Sequence, residues 1–161
     1  MYKRYHDFLI RDWTPADRDR ASEIIGTVLA EFALEWEPQG ADIDVIEVEQ
    51  YYFLTGGQFW VIEQMAQVVG TAAFYPLPHR SQWAEIRKMY LLPQVRGQGL
   101  GQFLLSELET VIQQNPFEAI LIETSTKLSA AMSLYERNAY SPYEEVETER
   151  CDRAYIKYLN Q

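Results

Sequence analysis

The sequence predicts a mixed α/β (α+β) fold in which helices cover both faces of a twisted, mostly antiparallel sheet. Three observations carry that expectation. The middle of the chain, Phe59 to Leu92, holds runs rich in β-branched and aromatic residues that read as a strand meander. Arg96-Gly97-Gln98-Gly99-Leu100-Gly101 then stands between an apolar strand pattern and an amphipathic helix pattern. The remainder alternates strand, helix and strand, the signature of crossover connections.

Each element has a local reason. Phe8 to Arg11 reads as a short strand. Thr14-Pro15 opens a helix, because Thr caps well, Pro suits the first helical position, and Asp17 adds negative charge to the first turn. The stripe Ile24, Val28, Phe32, with Ile25 and Leu29, carries that helix to about Leu34. Pro38 and Gly40 mark a loop. A second helix is expected from Asp42 or Ile43 to Leu54, with Val45, Val48 and Tyr52 on one face and Gly56-Gly57 at its end. Strands follow at Phe59–Glu63, Val68–Leu77 and Trp83–Leu92; Pro76 and Pro78 stop the second of these. Leu100 to Asn115 repeats apolar residues at Leu100, Leu104, Leu108, Val111 and Ile112, a helix that Asn115-Pro116 ends. Ala119 to Thr124 (AILIET) is a compact buried-strand pattern. Ser129 to Arg137 is helical, and Ala154 to Leu159 forms a last strand.

The totals exclude several classes. A chain of 161 residues with 47% apolar and 14% aromatic content has a core and is read as one domain, 1–161. The lone cysteine, Cys151, excludes an internal disulfide and a cysteine-based zinc cluster. His6 and His79 lack ligand spacing, so no metal is expected. No apolar run reaches the ~18 residues of a membrane span, and the apolar stretch near the start is too short for a signal peptide; the default location is the cytoplasm. A net charge of −10 argues against nucleic acid as a partner and mildly favours a cationic substrate. Solubility alone explains that charge equally well.

Against this acidity the glycine stretch is a basic, donor-rich spot. Glycines let the backbone approach a ligand. The free N–H groups and positive dipole end of a helix favour phosphate oxygens. A P-loop is excluded, since no Lys-Ser or Lys-Thr follows the glycines. A G-x-G-x-x-G dinucleotide fingerprint fails at Gln102. The spacing R-x-x-G-x-G, from Arg96 through Gly99 to Gly101, resembles the acyl-CoA pyrophosphate loop of the GNAT superfamily of N-acetyltransferases. A tight turn with a helix cap is the plain alternative.

Two further segments resemble the same family in the correct order. Glu85-Ile86-Arg87-Lys88-Met89-Tyr90-Leu91 is similar to its fourth strand, E-φ-x-x-φ-Y-V. Ala131-Met132-Ser133-Leu134-Tyr135-Glu136-Arg137-Asn138-Ala139-Tyr140 is similar to A-x-x-L-Y-E-K-L-G-F. The element order also matches, so the resemblance spans nearly the whole chain. It implies a mostly antiparallel sheet with one splayed parallel strand pair. Two departures stand out. Leu128 occupies the position of an asparagine that contacts the cofactor in many members. Asn138-Ala139 replaces Leu-Gly, so the turn after the helix is expected to use Asn138 in a left-handed conformation.

The resemblance implies acetyl transfer from acetyl-CoA to an amine, without a metal. A lysine-like amine has a free pKa of about 10.4, so reaching its neutral form at pH 7 costs roughly 4–5 kcal/mol. A base is therefore useful. Glu85 matches the fourth-strand glutamate of the histone-acetyltransferase branch. Its plain reading is a strand residue paired with Arg87 on the same face. Glu123, inside the apolar strand, matches the base position of ribosomal-protein alanine acetyltransferases; a glutamate there needs a partner or a function. Tyr135 corresponds to the tyrosine that protonates the departing thiolate, its alternative being a core aromatic. Met89, Tyr90 and Leu91 would offer main-chain groups to the pantetheine, which adds like an extra strand, and one N–H would face the oxyanion. Arg96, Gly97, Gln98, Gly99, Leu100, Gly101 and Gln102 would line the pyrophosphate, with Arg96 adding charge. Cys151 lacks a sequence-adjacent histidine, which favours direct transfer in a ternary complex over a covalent intermediate.

The acceptor is left open between a small-molecule amine and a protein amine. Trp36, Glu37, Asp42, Tyr51, Tyr52, Tyr75, His79, Trp83 and Tyr143 fall in segments that shape acceptor pockets in this family; aromatics with acids suit a cation. Packing, or a homodimer surface, explains the same aromatics. A non-catalytic acyl-CoA sensor or partner-binding module is the alternative function.

Overall fold

The computed structural model describes residues 1–159. The chain forms β1 (Tyr2–Tyr5), β2 (Phe8–Asp12), α1 (Arg18–Glu31), α2 (Ile43–Ile46), β3 (Gln58–Gln64), β4 (Gln67–Leu77), β5 (Arg80–Leu91), α3 (Leu100–Gln113), β6 (Ala119–Thr124), α4 (Ser129–Arg137), β7 (Ser141–Tyr143) and β8 (Arg153–Tyr158). The strands make one eight-stranded sheet in the order β1-β2-β3-β4-β5-β6-β8-β7. All neighbouring pairs are antiparallel except β5 and β6, which run parallel. The mixed sheet and its single parallel junction are those the sequence leads one to expect.

Helices cover both faces. The consecutive residues Phe59, Trp60, Val61 and Ile62 of β3 are all 0% exposed, so neither side of that strand sees water. On one face Asp17, before α1, grips Arg11 of β2, and Tyr52 packs on Phe59 and Tyr75. On the other, Phe103 and Glu109 of α3 meet Tyr5 and Lys157, and Tyr135 of α4 meets Tyr155. The apolar stripes do this work: Ile24, Ile25 and Leu29 of α1 and Leu104, Leu105 and Leu108 of α3 are buried, each stabilising the fold by roughly 1.5–3 kcal/mol.

Three expectations change. β1 and β7 form where no strand was read, because their residues are mostly exposed and carry no alternation. The helix expected from Asp42 to Leu54 breaks into α2 and a π-helical turn at Glu49–Phe53. A continuous helix would hold Asp44 and Tyr52 about 12 Å apart along its axis; the break brings the Tyr52 hydroxyl onto the buried Asp44 carboxylate. After α4 the left-handed residue is Ala139 (φ 66°), not Asn138. Asn138 instead caps the helix: its side-chain N–H donates to the Leu134 carbonyl at 2.7 Å, and its amide pairs reciprocally with Gln102.

Two irregularities open the sheet. The β5–β6 register covers only Trp83↔Ala119, Ala84↔Ile120 and Glu85↔Leu121. Beyond Glu85 the strands part, and the β6-facing edge of β5 has no partner. Within β5, a bulge opposite Thr71–Ala73 places Lys88 at φ 53°, its carbonyl accepting from the Thr71 hydroxyl at 2.6 Å. The extra residue breaks the alternation, so Arg87 and Lys88 reach the same face, where both bond the Ala41 carbonyl.

Candidate active site

The site lies in the wedge where β5 and β6 separate. Glu85, Lys88 and Tyr90 line one side, Ile122 and Glu123 the other; Tyr135 of α4 closes it from one face, and Arg150 and Cys151 of the β7–β8 connection lie at its border. His6 and His79 do not line it, and no group of three His, Cys, Asp or Glu among the described residues could hold a metal.

At the end of β5 a single helical turn, Pro93–Val95, leads into the glycine loop. Gly97 and Gly99 have φ 76° and 80°, a left-handed backbone that an L side chain strains to adopt. No amide from Gly97 to Gln102 donates to a carbonyl or side chain among the described residues. The loop therefore ends in a set of free donors at the start of α3, where the dipole adds to them. Arg96 is occupied otherwise. Its guanidinium pairs with both oxygens of Glu31 at 2.8 and 2.7 Å, and its Nε donates to the Leu91 carbonyl at 3.0 Å. It ties α1, β5 and the loop together.

Tyr135 is buried, and its ring packs against Tyr140 and Tyr155. The hydroxyls of those two are committed, to Glu109 at 2.9 Å and Glu136 at 2.8 Å. That of Tyr135 has no partner among the described residues and faces the wedge. Burial pushes its pKa well above the ordinary phenol value, which keeps it protonated. The Cys151 thiol in the same wedge is pushed up to about 11, again mainly by burial.

The two glutamates differ. Glu85 is 4% exposed and accepts from Arg87 at 3.1 Å. Burial raises its pKa against the opposing charge of Arg87, and Glu123 raises it further. Glu123 accepts the backbone N–H groups of Glu147 at 2.7 Å and Thr148 at 2.9 Å, so its carboxylate anchors the β7–β8 connection beside the wedge.

Below Glu85 lies a buried ionic floor that the sequence did not reveal. Asp42, 0% exposed, accepts from Lys88 at 2.6 Å, from Arg150 at 2.5 and 2.6 Å, and from the Glu37 amide at 2.9 Å. Burial opposes its ionisation. The Arg150 bonds, the Lys88 charge and the Glu37 amide outweigh that and hold the carboxyl down at about 2. Asp44 accepts from Arg87 at 3.3 Å and from Tyr52. One signal was present: Arg87-Lys88 inside an apolar strand puts two adjacent charges where a regular pleat would send them to opposite faces.

The chain is similar to known proteins. Residues 25–140 match the Acetyltransferase (GNAT) family. The chain is 32% identical over 131 residues to the uncharacterized N-acetyltransferase YjgM of Escherichia coli (strain K12), covering 80% of this chain and 78% of that protein. It is 30% identical over 95 residues to N-acetyltransferase 8F1 of Rattus norvegicus, covering 57% of this chain but only 43% of the rat protein. A GNAT-family acetyltransferase from Staphylococcus aureus Mu50 superposes with a TM-score of 0.86 at 20% identity, over 95% of this chain and 99% of that one. The protein yncA of Salmonella typhimurium, solved with its cofactor acetyl-CoA, superposes with a TM-score of 0.73 at 21% identity, over 96% and 95% of the two chains. A parted parallel strand pair, a free-amide glycine loop and a match over most of its length thus converge: the chain belongs to the GNAT acetyltransferase family and is an N-acetyltransferase.

Proposed function

We propose that the chain transfers the acetyl group of acetyl-CoA to a primary amine by direct attack in a ternary complex. The observation that carries this reading is the meeting, in one wedge, of an unpaired β5 edge and the free Tyr135 hydroxyl, with the free-amide loop at its β5 end. These groups fit acetyl-CoA. The amides from Gly97 to Gln102 suit the pyrophosphate. The open edge at Met89 and Tyr90 suits the amide-bearing pantetheine; the Leu91 carbonyl is shared with Arg96.

The thioester supplies an activated acyl group. The protein's part is to move protons and hold charge. Glu85, with a raised pKa, takes the proton of the attacking amine, directly or through water. A main-chain N–H of the β5 edge donates to the carbonyl oxygen as charge builds there. Tyr135 gives its proton to the departing sulfur. A buried phenol is a weak acid, but burial raises a thiol in the same wedge too, as Cys151 shows, so donor and acceptor move together. The protonated Cys151, with no histidine lining the wedge, supports direct transfer.

The test is calorimetric binding of acetyl-CoA to wild type and to Gly99→Glu, with circular dichroism to confirm that both fold. The variant puts a side chain into a left-handed position, 2.5 Å from the Tyr5 hydroxyl at its Cβ, and adds a negative charge. Wild type binds and the variant does not; failure of wild type to bind overturns the reading. A non-catalytic acyl-CoA-binding module is the second reading, favoured by the engagement of Glu85 with Arg87 and of Glu123 with loop amides. Binding without acetylation across a broad amine screen would select it.

A further inference from the structure

We infer that Tyr5, on the first strand of the sheet, is a positioning residue for the phosphate-binding loop; the inference rests on the acetyl-CoA reading of that loop. Tyr5 is far from the loop in sequence, yet its hydroxyl donates to the Gln98 carbonyl at 3.0 Å. Its ring stacks on Phe103 of α3, with centroids 4.4 Å apart. Phe103 in turn donates its backbone N–H to the Gly99 carbonyl at 3.0 Å. The ring is thus fixed by the first turn of the helix, and the hydroxyl by the loop that precedes it.

The consequence follows from the peptide bond. The Gln98 carbonyl and the Gly99 N–H belong to one planar trans unit and point in opposite directions. Holding the carbonyl toward β1 aims the Gly99 N–H away from β1, where it has no partner among the described residues. A loop with two left-handed glycines would otherwise sample several orientations of this peptide, since glycine restricts its backbone least. Tyr5 removes that freedom before a ligand arrives, so less ordering is charged against binding. The close approach is mutual: a Cβ at Gly99 would lie 2.5 Å from the Tyr5 oxygen, so the tyrosine also excludes any larger residue there. Arg96 secures the other end of the loop through Leu91 and Glu31. The loop is pinned at both ends, and its amides are left for the phosphates.

Tyr5→Phe removes the hydroxyl and keeps the stacked ring. Acetyl-CoA and S-acetyl-pantetheine, which lacks the pyrophosphate, serve as the paired calorimetric probes. Tyr2→Phe, on the same strand at 74% exposure, is the control. The expected result is acetyl-CoA binding weakened roughly three- to ten-fold in Tyr5→Phe, unchanged S-acetyl-pantetheine binding, and an unaltered Tyr2→Phe. Equal loss on both probes would mean a general disturbance of the wedge, and no loss on either would mean an idle hydrogen bond; each overturns the inference. Should wild type bind acetyl-CoA no better than S-acetyl-pantetheine, the phosphate reading of the loop fails and takes this role of Tyr5 with it.

Discussion

The glycine loop and the ionic floor of the wedge both sit toward the C-terminal end of one strand, β5, and are built in opposite ways. The loop is contiguous in sequence, and its chemistry belongs to the backbone. Gly97 to Gln102 set the conformation that leaves their own amides free. The floor is assembled from side chains far apart: Lys88 meets Asp42 across 46 residues and Arg150 meets it across 108. The local motif carries its donors within itself and takes only a few distant anchors, Tyr5 and Glu31. A dispersed ionic cluster fails when any member is removed, because the remaining charges stay buried without partners.

Stability measurements sharpen that contrast most strongly. Asp42→Ala strands Lys88 and Arg150, and chemical denaturation should show a loss on the order of 3–5 kcal/mol. The same carboxylate gives wild type an acid sensitivity. Its folded pKa is depressed, so its contribution is complete above the reference value of 3.8 and lost as pH falls toward about 2. The variant lacks that component of the acid transition. A near-neutral Asp42→Ala would mean that the floor contributes little to stability.

Smaller effects belong to the wedge beside these regions. Tyr135→Phe keeps the packing against Tyr140 and Tyr155 but removes the hydroxyl proposed as proton donor. Steady-state assays should show kcat down by about 10²-fold, ~2.7 kcal/mol, with the melting temperature held. Smallest is Glu85→Gln. Glu85 must be ionised to act as a base, and its pKa is raised, so the rate falls with acid from above the ordinary carboxylate value of 4.5. A pH–rate profile of the variant should lose that limb while keeping the limb due to the amine itself. A wild-type profile that lacks the Glu85 limb removes this residue from the chemistry.

The same division governs what could be read without a structure. β6 at Ala119–Thr124 and α4 at Ser129–Arg137 appear with the boundaries their patterns suggest, because a buried run and a helical stripe are local facts. α3 begins at Leu100, as the glycines dictate. The bulge at Lys88 was not legible, since it answers to a buried Asp42 and Asp44 that no nearby residue announces. Nor was the occupation of Arg96 by Glu31, which requires the end of α1 to lie beside the loop. β1 escaped notice although it carries Tyr5; its outward face is polar, and its worth lies in a hydroxyl that meets a carbonyl across 93 residues.

The junction of β5 and β6 also bears on how the sheet is closed. β1–β2 and β3 to β5 pair with sequence neighbours, whereas β2 reaches β3 across α1 and α2, and β5 reaches β6 across α3. β6 must wait for a helix to cross over, and then gains only three registered pairs with β5 before the strands part. Of these two non-local junctions β5–β6 holds the fewer registered pairs, three against five, which makes it the weaker seam of the sheet. The wedge proposed as the active site opens at the place where the two parts of the sheet meet and do not quite zip shut.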